Sequence, residues 1–323
     1  KELSKFNKIM DQFEMRKEEI EKILKENKID LKSINAVVGR CGGLPPVKSG
    51  AYLINDEMID RLVNRPTLDH ASNLGAMISY SIANEIGVNS YIYDPVSVDE
   101  SNKIAKVSGL KELDRVCLTH ALNTRAMAIK YAKMHNKDYK NLNLIVAHLG
   151  GGISLNVHEK GRMVDFVTDE EGPFSPERAG KLPSKMLVDL CYSGKYTYEE
   201  MAKNIRGKGG IVSYLNTVEV EERINNGDGY AKLIYDALAL QVAKAIGELS
   251  TVVNGNVDAI IITGGIAYSK YMSESISNRV KFIAPVEIMP GENELEALAF
   301  GVLRVMNGEE EATVYRETDL IKA

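Results

Sequence analysis

Two arginines stand beside glycine-rich turns. Arg40 lies within Gly39-Arg40-Cys41-Gly42-Gly43, and Arg178 lies in a loop over 169–180 that Pro and Gly interrupt. A planar guanidinium matches the oxygens of phosphate or carboxylate. Phosphoryl transfer needs positioning and cationic stabilisation more than covalent chemistry from the protein. The sequence therefore predicts that Arg40 and Arg178 clamp a phosphoryl group and a negatively charged acceptor.

Three consecutive glycines, Gly150–Gly152, follow an apolar run that begins at Leu144, and apolar and polar residues then alternate up to Val157. This pattern predicts strand, tight turn and strand. In a Rossmann or P-loop motif the glycines would instead open a helix. Adjacent glycines can turn several backbone N–H groups inward as an anion nest. A plain hairpin turn is the alternative, but three glycines exceed what a two-residue turn needs, which favours phosphate binding.

Four further side chains could serve this chemistry, and each also has a plain structural interpretation. His120 precedes a predicted helix, where it could be a catalytic group or a hydrogen-bonded structural histidine. Asp94 ends a predicted strand and Glu294 begins a predicted helix, so each could serve Mg²⁺ or be a turn or cap residue. His148 directly precedes the glycines, where phosphate contact and simple packing are both open.

Composition excludes several classes of protein. The 323 residues suit two domains, and the net charge of −5 argues against a nucleic-acid surface, which would need clustered Lys and Arg. Partners should be small molecules or another copy of the chain. No Gly-x-Ser-x-Gly elbow and no His-x-x-x-His pair occurs, which disfavours a serine hydrolase and a zinc enzyme.

Cysteine usage and hydropathy bear on the compartment. Cys41, Cys117 and Cys191 are odd in number and lack metal-type spacing, so we interpret them as reduced thiols. No apolar run approaches membrane-spanning length, and no signal peptide is visible. We expect a cytoplasmic protein without a membrane partner.

The predicted elements that carry these residues follow the same order in both halves. Each half is predicted to contain a helix, a strand, a glycine pair, a second helix and a second strand. The helices and strands span 9–27, 34–38, 70–86 and 90–94 in the first half, and 229–253, 257–263, 267–279 and 280–286 in the second. This weak internal repeat predicts two similar α/β domains facing a cleft. Chance resemblance is the alternative, because helix–strand–glycine units are common.

With these residues assembled, the chain resembles the butyrate kinases of the acetate kinase family, within the wider sugar kinase, Hsp70 and actin superfamily. The motifs occur in family order across nearly the whole chain, and the set is specific although each member is weak. The matching segments are 38–43, 70–75, Asp94-Pro95, 120–123, 148–152, 171–178, 207–210, 263–266 and Asn293-Glu294.

The resemblance implies reversible in-line transfer from ATP to a short-chain carboxylate, giving an acyl phosphate and ADP. It implies that Arg40 and Arg178 bind the transferring phosphoryl group and the carboxylate, that His120 stabilises the transition state, and that Asp94 and Glu294 serve Mg²⁺ and the arginines. His148 and Gly150, Gly151 and Gly152 would hold nucleotide phosphates. Gly264, Gly265 and Ile266 would flank the adenosine, and the glycine-rich loop over 206–216 would lie near the adenine.

The implied fold is a pair of duplicated actin-like, ribonuclease H-like α/β domains facing a nucleotide-binding cleft. The expected first domain spans 1–140 plus a C-terminal helix over about 295–323, and the second spans 141–294 and carries the nucleotide motifs. The resemblance also implies a homo-oligomer. Butyrate is the expected acceptor; isobutyrate or another short-chain acid is the alternative within the family. A non-catalytic nucleotide-binding regulator is the alternative from another class.

Two features depart from the family pattern. The N-terminal hairpin Asn-Pro-Gly-Ser-x-Ser/Thr-x-Lys is absent from the sequence. The repeat also calls for such a hairpin before the first half, so we expect one upstream of Lys1 and expect a chain that truly began there to be poorly active. Cys41 stands where the family pattern has glycine, which places the geometry of that loop in question.

Overall fold

The computed structural model describes residue 6, residues 8–67 and residues 70–319. By contacts, the chain divides into two compact units. Unit 1 comprises the described residues of Lys1–Glu100 and Asn293–Ala323, and unit 2 comprises Ser101–Glu292. Across the described ranges, no helix combines the length and apolarity needed to cross a membrane.

Unit 1 is an α/β unit with a four-stranded sheet in the order β1-β3-β2-β9. Strand β1 pairs with β3 in parallel, and α3 connects and covers them. Leu74, Ile78 and Ile82 of α3 form the buried centre of the packing against α1 and β1. The strands are β1 (Ala36–Gly39), β2 (Ala51–Leu53), β3 (Asn89–Tyr93) and β9 (Thr313–Val314), and the helices are α1 (Phe13–Glu26), α2 (Asp56–Asn64), α3 (Ser72–Ile86) and α12 (Glu294–Met306).

Unit 2 contains a five-stranded sheet in the order β6-β5-β4-β7-β8. Its helices are α4 (Lys103–Lys106), α5 (Ala121–Met134), α6 (Ser184–Cys191), α7 (Tyr198–Ile205), α8 (Gly210–Leu215), α9 (Val220–Asn225), α10 (Gly229–Ser250) and α11 (Lys270–Val280). The strands are β4 (Asn143–Leu149), β5 (Ile153–Glu159), β6 (Arg162–Val167), β7 (Ala259–Gly264) and β8 (Val286–Pro290). Helices α10 and α5 pack on this sheet, with separate apolar clusters beneath them.

The glycine hairpin is confirmed. Strands β4 and β5 are antiparallel, with Leu149 opposite Ile153, so Gly150–Gly152 form the turn. Every residue of β4 is buried, as expected of a central strand with helices packed on both faces. On its other side β4 pairs in parallel with β7, so the carboxyl ends of both strands reach the same edge of the sheet.

Both predicted strand–glycine–helix–strand units exist. Each connects a parallel strand pair, β1 with β3 and β7 with β8. The strand predicted over 280–286 is wrong, because α11 continues to Val280 and β8 begins at Val286. Pro285 explains the shift, since it has no N–H to donate to a strand ladder. The loop predicted over 206–216 is also partly wrong, since Gly210–Leu215 form helix α8.

Contacts assign residues 101–140 to unit 2, whereas the sequence-based division placed them in the first domain. Helix α5 accounts for this difference, because it packs on β4, β5 and β7. The predicted domain boundaries stay a prediction. Residues 320–323 of the predicted C-terminal helix lie outside the described residues, and the observed helix α12 ends at Met306.

Candidate active site

Two histidines stack at the carboxyl end of β4. The rings of His120 and His148 have centroids 4.0 Å apart and planes 17° apart. His148 is the last residue but one of β4, and His120 is the N-cap residue directly before α5. The strand and the helix therefore bring together two ring systems that the sequence separates by 28 positions.

Each ring has a defined polar neighbour at its Nδ1 atom. His120 Nδ1 lies 2.7 Å from the hydroxyl oxygen of Ser154, a residue of β5. His148 Nδ1 lies 3.0 Å from the amide oxygen of Asn123, a residue of α5. Ser154 and Asn123 are each 1% exposed, so both contacts are shielded from water.

The glycine turn is lined on both sides. A Cβ on Gly150 would come within 2.9 Å of His148 Nε2 and 3.2 Å of Glu292 Oε1, and a Cβ on Gly152 would overlap the guanidinium of Arg178. Ser175 donates its hydroxyl to the carbonyl of Gly151 at 2.7 Å. The absence of side chains is therefore what lets His148 and Arg178 approach the turn.

Arg178 is held by a carboxylate. Its Nη1 donates to Asp169 Oδ2, and the Asp169 side chain is 9% exposed. Arg206 Nη2 lies 3.5 Å from the same Asp169 oxygen. Arg178 and Arg206 also form an isolated antiparallel bridge, which ties the loop over 169–180 to the end of α7. These contacts hold the flexible side chain of Arg178 in one conformation beside the glycine turn.

Arg115 fixes the segment that leads to His120. Its guanidinium donates to both carboxylate oxygens of Glu171 at 3.0 and 2.9 Å, and to Asp165 at 3.1 Å. It also lies over the ring of Phe166, 4.5 Å from the centroid. The pKa of Arg115 is raised above its usual value, chiefly by the hydrogen bond with Glu171. Segment 103–118 is thereby fastened to β6 and to the start of the Arg178 loop.

The Gly264-Gly265-Ile266 segment lies beside the hairpin turn. Gly264 adopts φ +90°, and a Cβ there would overlap the backbone of Leu149. The N–H groups and carbonyls of Gly264 and Gly291 pair reciprocally at 3.2 and 3.1 Å. The residues after this segment help to line a cavity of about 410 Å³. Its lining residues are Ala267, Tyr268, Lys270, Ser273, Glu274, Ser277, Asn278 and Ile288.

Unit 1 holds the other three sequence-predicted residues. Arg40 Nη1 donates to Glu294 Oε2 at 2.6 Å, which joins the loop after β1 to the first turn of α12. Asp94 follows β3, is 3% exposed and has φ +40°. Its carboxylate accepts the N–H of Gly50 at 2.7 Å, so it has at least the turn-forming role that its position allowed.

Close backbone packing shapes the loop that carries Arg40. A Cβ on Gly75 of α3 would lie 2.7 Å from the carbonyl oxygen of Arg40, and one on Gly43 would lie 2.5 Å from Asn73 Nδ2. Cys41 is buried at 1% exposure, and burial raises the pKa of its thiol to about 12. Cys41 therefore fits as a small apolar residue. Among the described residues, Cys41, Cys117 and Cys191 form no disulfide.

The described residues offer carboxylates for a metal ion, but not a complete set of ligands. Within them, no group of three or more His, Cys, Asp or Glu side chains could hold a metal ion. Asp94 and Glu294 offer carboxylate oxygens, the hard donors that Mg²⁺ takes. Mg²⁺ commonly binds through one or two carboxylates, with substrate phosphates and water completing the coordination. The carboxylates present therefore fit an ion that arrives with a nucleotide.

Sequence reasoning missed the residues that orient the predicted ones: Asn123, Ser154, Asp169, Ser175 and Glu292. Two signals were available. Ser154 and Asn156 alternate with the apolar residues Ile153, Leu155 and Val157 on a buried strand, which requires hydrogen-bond partners in the interior. Asp169 is an acidic residue in the same short loop as Arg178.

The amino-acid sequence is similar to those of known kinases. The model of the acetokinase family matches residues 118–307. Butyrate kinase 1 of Clostridium acetobutylicum is 52% identical over 320 residues, which is 98% of this chain and 90% of the relative. Butyrate kinase 2 of the same organism is 50% identical over 321 residues, again 98% of this chain and 90% of the relative.

Solved structures agree at the level of fold. The acetate kinase of Porphyromonas gingivalis superposes with a TM-score of 0.78 at 19% identity, covering 88% of this chain and 83% of that one. A propionate kinase from Francisella tularensis gives a TM-score of 0.74 at 17% identity, covering 87% of this chain and 82% of that one. The α/β fold predicted from the sequence is confirmed by these likenesses.

Proposed function

The chain belongs to the acetokinase family, and from that membership we propose that it is a butyrate kinase, which transfers the γ-phosphoryl group of ATP to butyrate. The observation that carries the proposal is the likeness to two butyrate kinases over nearly the whole of both chains. The products are butyryl phosphate and ADP, and the reaction is reversible.

In the forward direction a carboxylate oxygen of butyrate attacks the γ-phosphorus, and the bond to the bridging oxygen of ADP breaks. No covalent bond to the protein is required, so the side chains act through charge and position. Arg178 stabilises the negative charge of the transferring group beside the glycine turn. Its contact with Asp169 supports this role, because an arginine already oriented loses less freedom on binding.

His120 is proposed to donate a hydrogen bond to the transferring phosphoryl group, and His148 to contact nucleotide phosphates. The backbone N–H groups of Gly150, Gly151 and Gly152 hold the same phosphates, which the free approach to this turn supports. Gly264, Gly265 and Ile266 flank the adenosine. The neighbouring cavity, which Tyr268 and Asn278 help to line, supports that assignment.

Arg40, Asp94 and Glu294, which lie in unit 1, are also proposed to serve the reaction. Arg40 binds the substrate carboxylate or phosphoryl group, and its hydrogen bond to Glu294 orients the guanidinium. Asp94 and Glu294 would hold Mg²⁺ together with phosphate oxygens and water. When bound, that ion supplies neutralisation of the charge on the phosphates.

A homo-oligomer is proposed as well. Residues 182–198 around α6 expose several large apolar side chains, including Met186 (69%), Tyr192 (88%) and Tyr198 (84%), and α6 has no buried residue. Clustered exposed apolar side chains are typical of interfaces. Light scattering coupled to gel filtration should report a mass above 35.7 kDa, and M186E with Y192E should lower it.

The proposed activity is tested by trapping the acyl phosphate with hydroxylamine while ADP formation is followed, using Mg-ATP with acetate, propionate, butyrate and isobutyrate. Activity that peaks with butyrate supports the proposal. A peak with isobutyrate or propionate would reassign the substrate within the family. Bound ATP without turnover of any acid would support the regulator that the sequence left open.

A further inference from the structure

The hydroxyl of Ser154 dictates which nitrogen of His120 carries a proton. Among the described residues, its hydrogen-bond partners are two atoms of His120: Nδ1 at 2.7 Å and the backbone nitrogen at 3.2 Å. The backbone N–H can only donate, and a hydroxyl has one proton and two acceptor lone pairs. Nδ1 is therefore the atom that receives the hydroxyl proton.

Burial makes this arrangement compulsory. Ser154 is 1% exposed, so a hydroxyl proton without a protein acceptor would have no water to replace it and would destabilise the fold. A proton on His120 Nδ1 would point two donors at Ser154 Oγ and leave the hydroxyl proton without either partner. The neutral His120 ring consequently carries its proton on Nε2.

The opposite argument applies to His148. Asn123 Nδ2 donates to the backbone carbonyl of Glu292 at 3.0 Å, and this bond distinguishes the amide nitrogen from the amide oxygen. Asn123 Oδ1 then faces His148 Nδ1 at 3.0 Å. An amide oxygen can only accept, so His148 carries its proton on Nδ1. Its Nε2 is an acceptor when the ring is neutral, 3.9 Å from Glu292 Oε1.

We propose that Ser154 and Asn123 are positioning residues that set opposite tautomers in the stacked pair, Nε2–H on His120 and Nδ1–H on His148. This inference rests on the proposed kinase function for its catalytic meaning, because an Nε2–H donor is what a negatively charged phosphoryl group would accept. In this tautomer His120 directs its Nε2–H donor at the phosphoryl oxygens. His148 offers a lone pair at Nε2, so its proposed contact with a nucleotide phosphate runs through a group that donates, such as water, and not through a direct hydrogen bond.

Two charged groups of unit 2 lie beside this pair or its glycine turn. Glu292 faces His148 from the segment after β8, and Arg178 faces the glycine turn from its own loop. Neither contacts an Nδ1 atom, so the two tautomers depend on the uncharged Ser154 and Asn123. Tautomer and overall site charge can therefore be separated by experiment.

The test uses the full-length protein labelled with ¹⁵N-histidine and long-range ¹H–¹⁵N correlation spectra recorded where both rings are neutral. H120Q and H148Q assign the two rings by loss of signals. We expect a pyrrole-type Nε2 and an imine-type Nδ1 for His120, and the reverse for His148. A proton on His120 Nδ1 or on His148 Nε2 in the unmutated protein overturns the proposal, with or without kinase activity.

Variants connect the tautomers to turnover. S154A should shift His120 toward a mixture of tautomers, leave the His148 signals in place and lower kcat by about 10-fold, with KM for ATP and butyrate little changed. S154T retains a hydroxyl and should restore both the spectrum and kcat. Loss of kcat in both variants with unchanged His120 signals would reduce Ser154 to a packing role and overturn its part of the proposal.

Asn123 has its own pair of variants. N123A should move the His148 signals and leave those of His120 unchanged, while N123D retains an acceptor and should keep the Nδ1–H tautomer. The spectra do not depend on the acceptor acid. Expected spectra with no acyl phosphate formed would therefore reject the kinase and retain the tautomers, whereas turnover with the wrong tautomers would do the reverse.

Discussion

Arg178 occupies the space into which a side chain on Gly152 would project. A Cβ added at Gly152 would overlap Nη1 of Arg178 and lie 2.7 Å from its Cζ. The glycine turn and the arginine are thus fitted to each other. Gly152 is required by what lies beside it, because its own backbone does not adopt a positive φ.

G152A should therefore act on catalysis more than on stability. The added methyl group displaces the end of a flexible side chain, and we expect kcat to fall by about 100-fold because a donor at the phosphoryl group is misplaced. G247A is the control, since a Cβ at Gly247 in α10 meets nothing within 4 Å. Steady-state rates and melting temperatures of both variants check this. Full activity in G152A would show that Arg178 can act from another position.

Arg178 itself should contribute to the transition state and little to ATP binding. R178A is expected to lower kcat by about 100-fold to 1000-fold with the Kd of ATP changed less than threefold. R178K keeps the charge without the planar fork, so its kcat should lie between those of R178A and the unmutated protein. R206A serves as the matched control, because Arg206 approaches the same Asp169 at 3.5 Å but its side chain is 56% exposed. Calorimetry with ATP and turnover assays measure the two quantities separately, and equal losses in R178A and R206A would contradict the assignment.

Local sequence patterns predicted the elements well where the signal was itself local. Apolar alternation around Gly150–Gly152 predicted the β4–β5 hairpin, and the strand–glycine–helix pattern predicted both parallel pairs. The strand over 280–286 failed because apolar residues there fit the end of a helix and the start of a strand equally well. Pro285 and the tertiary pairing of Ile260 with Val286 together set where β8 begins.

The site was predicted less completely, since its contacts join distant parts of the chain. The family resemblance linked Glu294 to the arginines in general, but no local pattern indicated its direct contact with Arg40 across 254 positions. Ser154 was passed over because a serine on a strand is ordinary until its neighbour is known to be His120, 34 positions earlier. Partners of this kind follow from packing, which no spacing rule encodes.

The packing of α3 on β1 predicts an inverted effect of helix propensity. Replacing a helical glycine by alanine normally stabilises a helix by about 0.5–1 kcal/mol. At Gly75, however, the new Cβ would lie 2.7 Å from the Arg40 carbonyl oxygen and 3.0 Å from its nitrogen. G75A should therefore lower the free energy of unfolding by about 1–3 kcal/mol and reduce kcat by displacing Arg40.

Urea unfolding of G75A beside G109A measures this effect. Gly109 has nothing within 4 Å of an added Cβ and no positive φ, so G109A should differ little from the unmutated protein. A stabilised G75A would mean that α3 and β1 separate easily, and that Arg40 is not held by their contact.

Acid stability should depend on His158, a fully buried histidine on β5. Burial, with a smaller contribution from the charge of Arg125, lowers its pKa from 6.5 to about 3. Below pH 6.5 the unfolded chain binds a proton that the folded chain does not, so the free energy of unfolding falls as the pH falls. The slope from this one group approaches about 1.4 kcal/mol per pH unit and ends near pH 3. Above pH 6.5 the group contributes no dependence, because both states are neutral.

H158Q removes this titration while keeping a group that can replace His158 in its hydrogen bond with the Tyr139 hydroxyl, now 2.8 Å long. Urea unfolding between pH 7 and pH 4.5 should give H158Q a shallower loss of stability, by about 1 kcal/mol or more per pH unit, even if its stability at pH 7 is lower. H135Q is the matched control, because it replaces a histidine whose side chain is 43% exposed. Parallel slopes for all three proteins would mean that His158 gains a proton in the folded state, and the buried neutral ring would have to be abandoned.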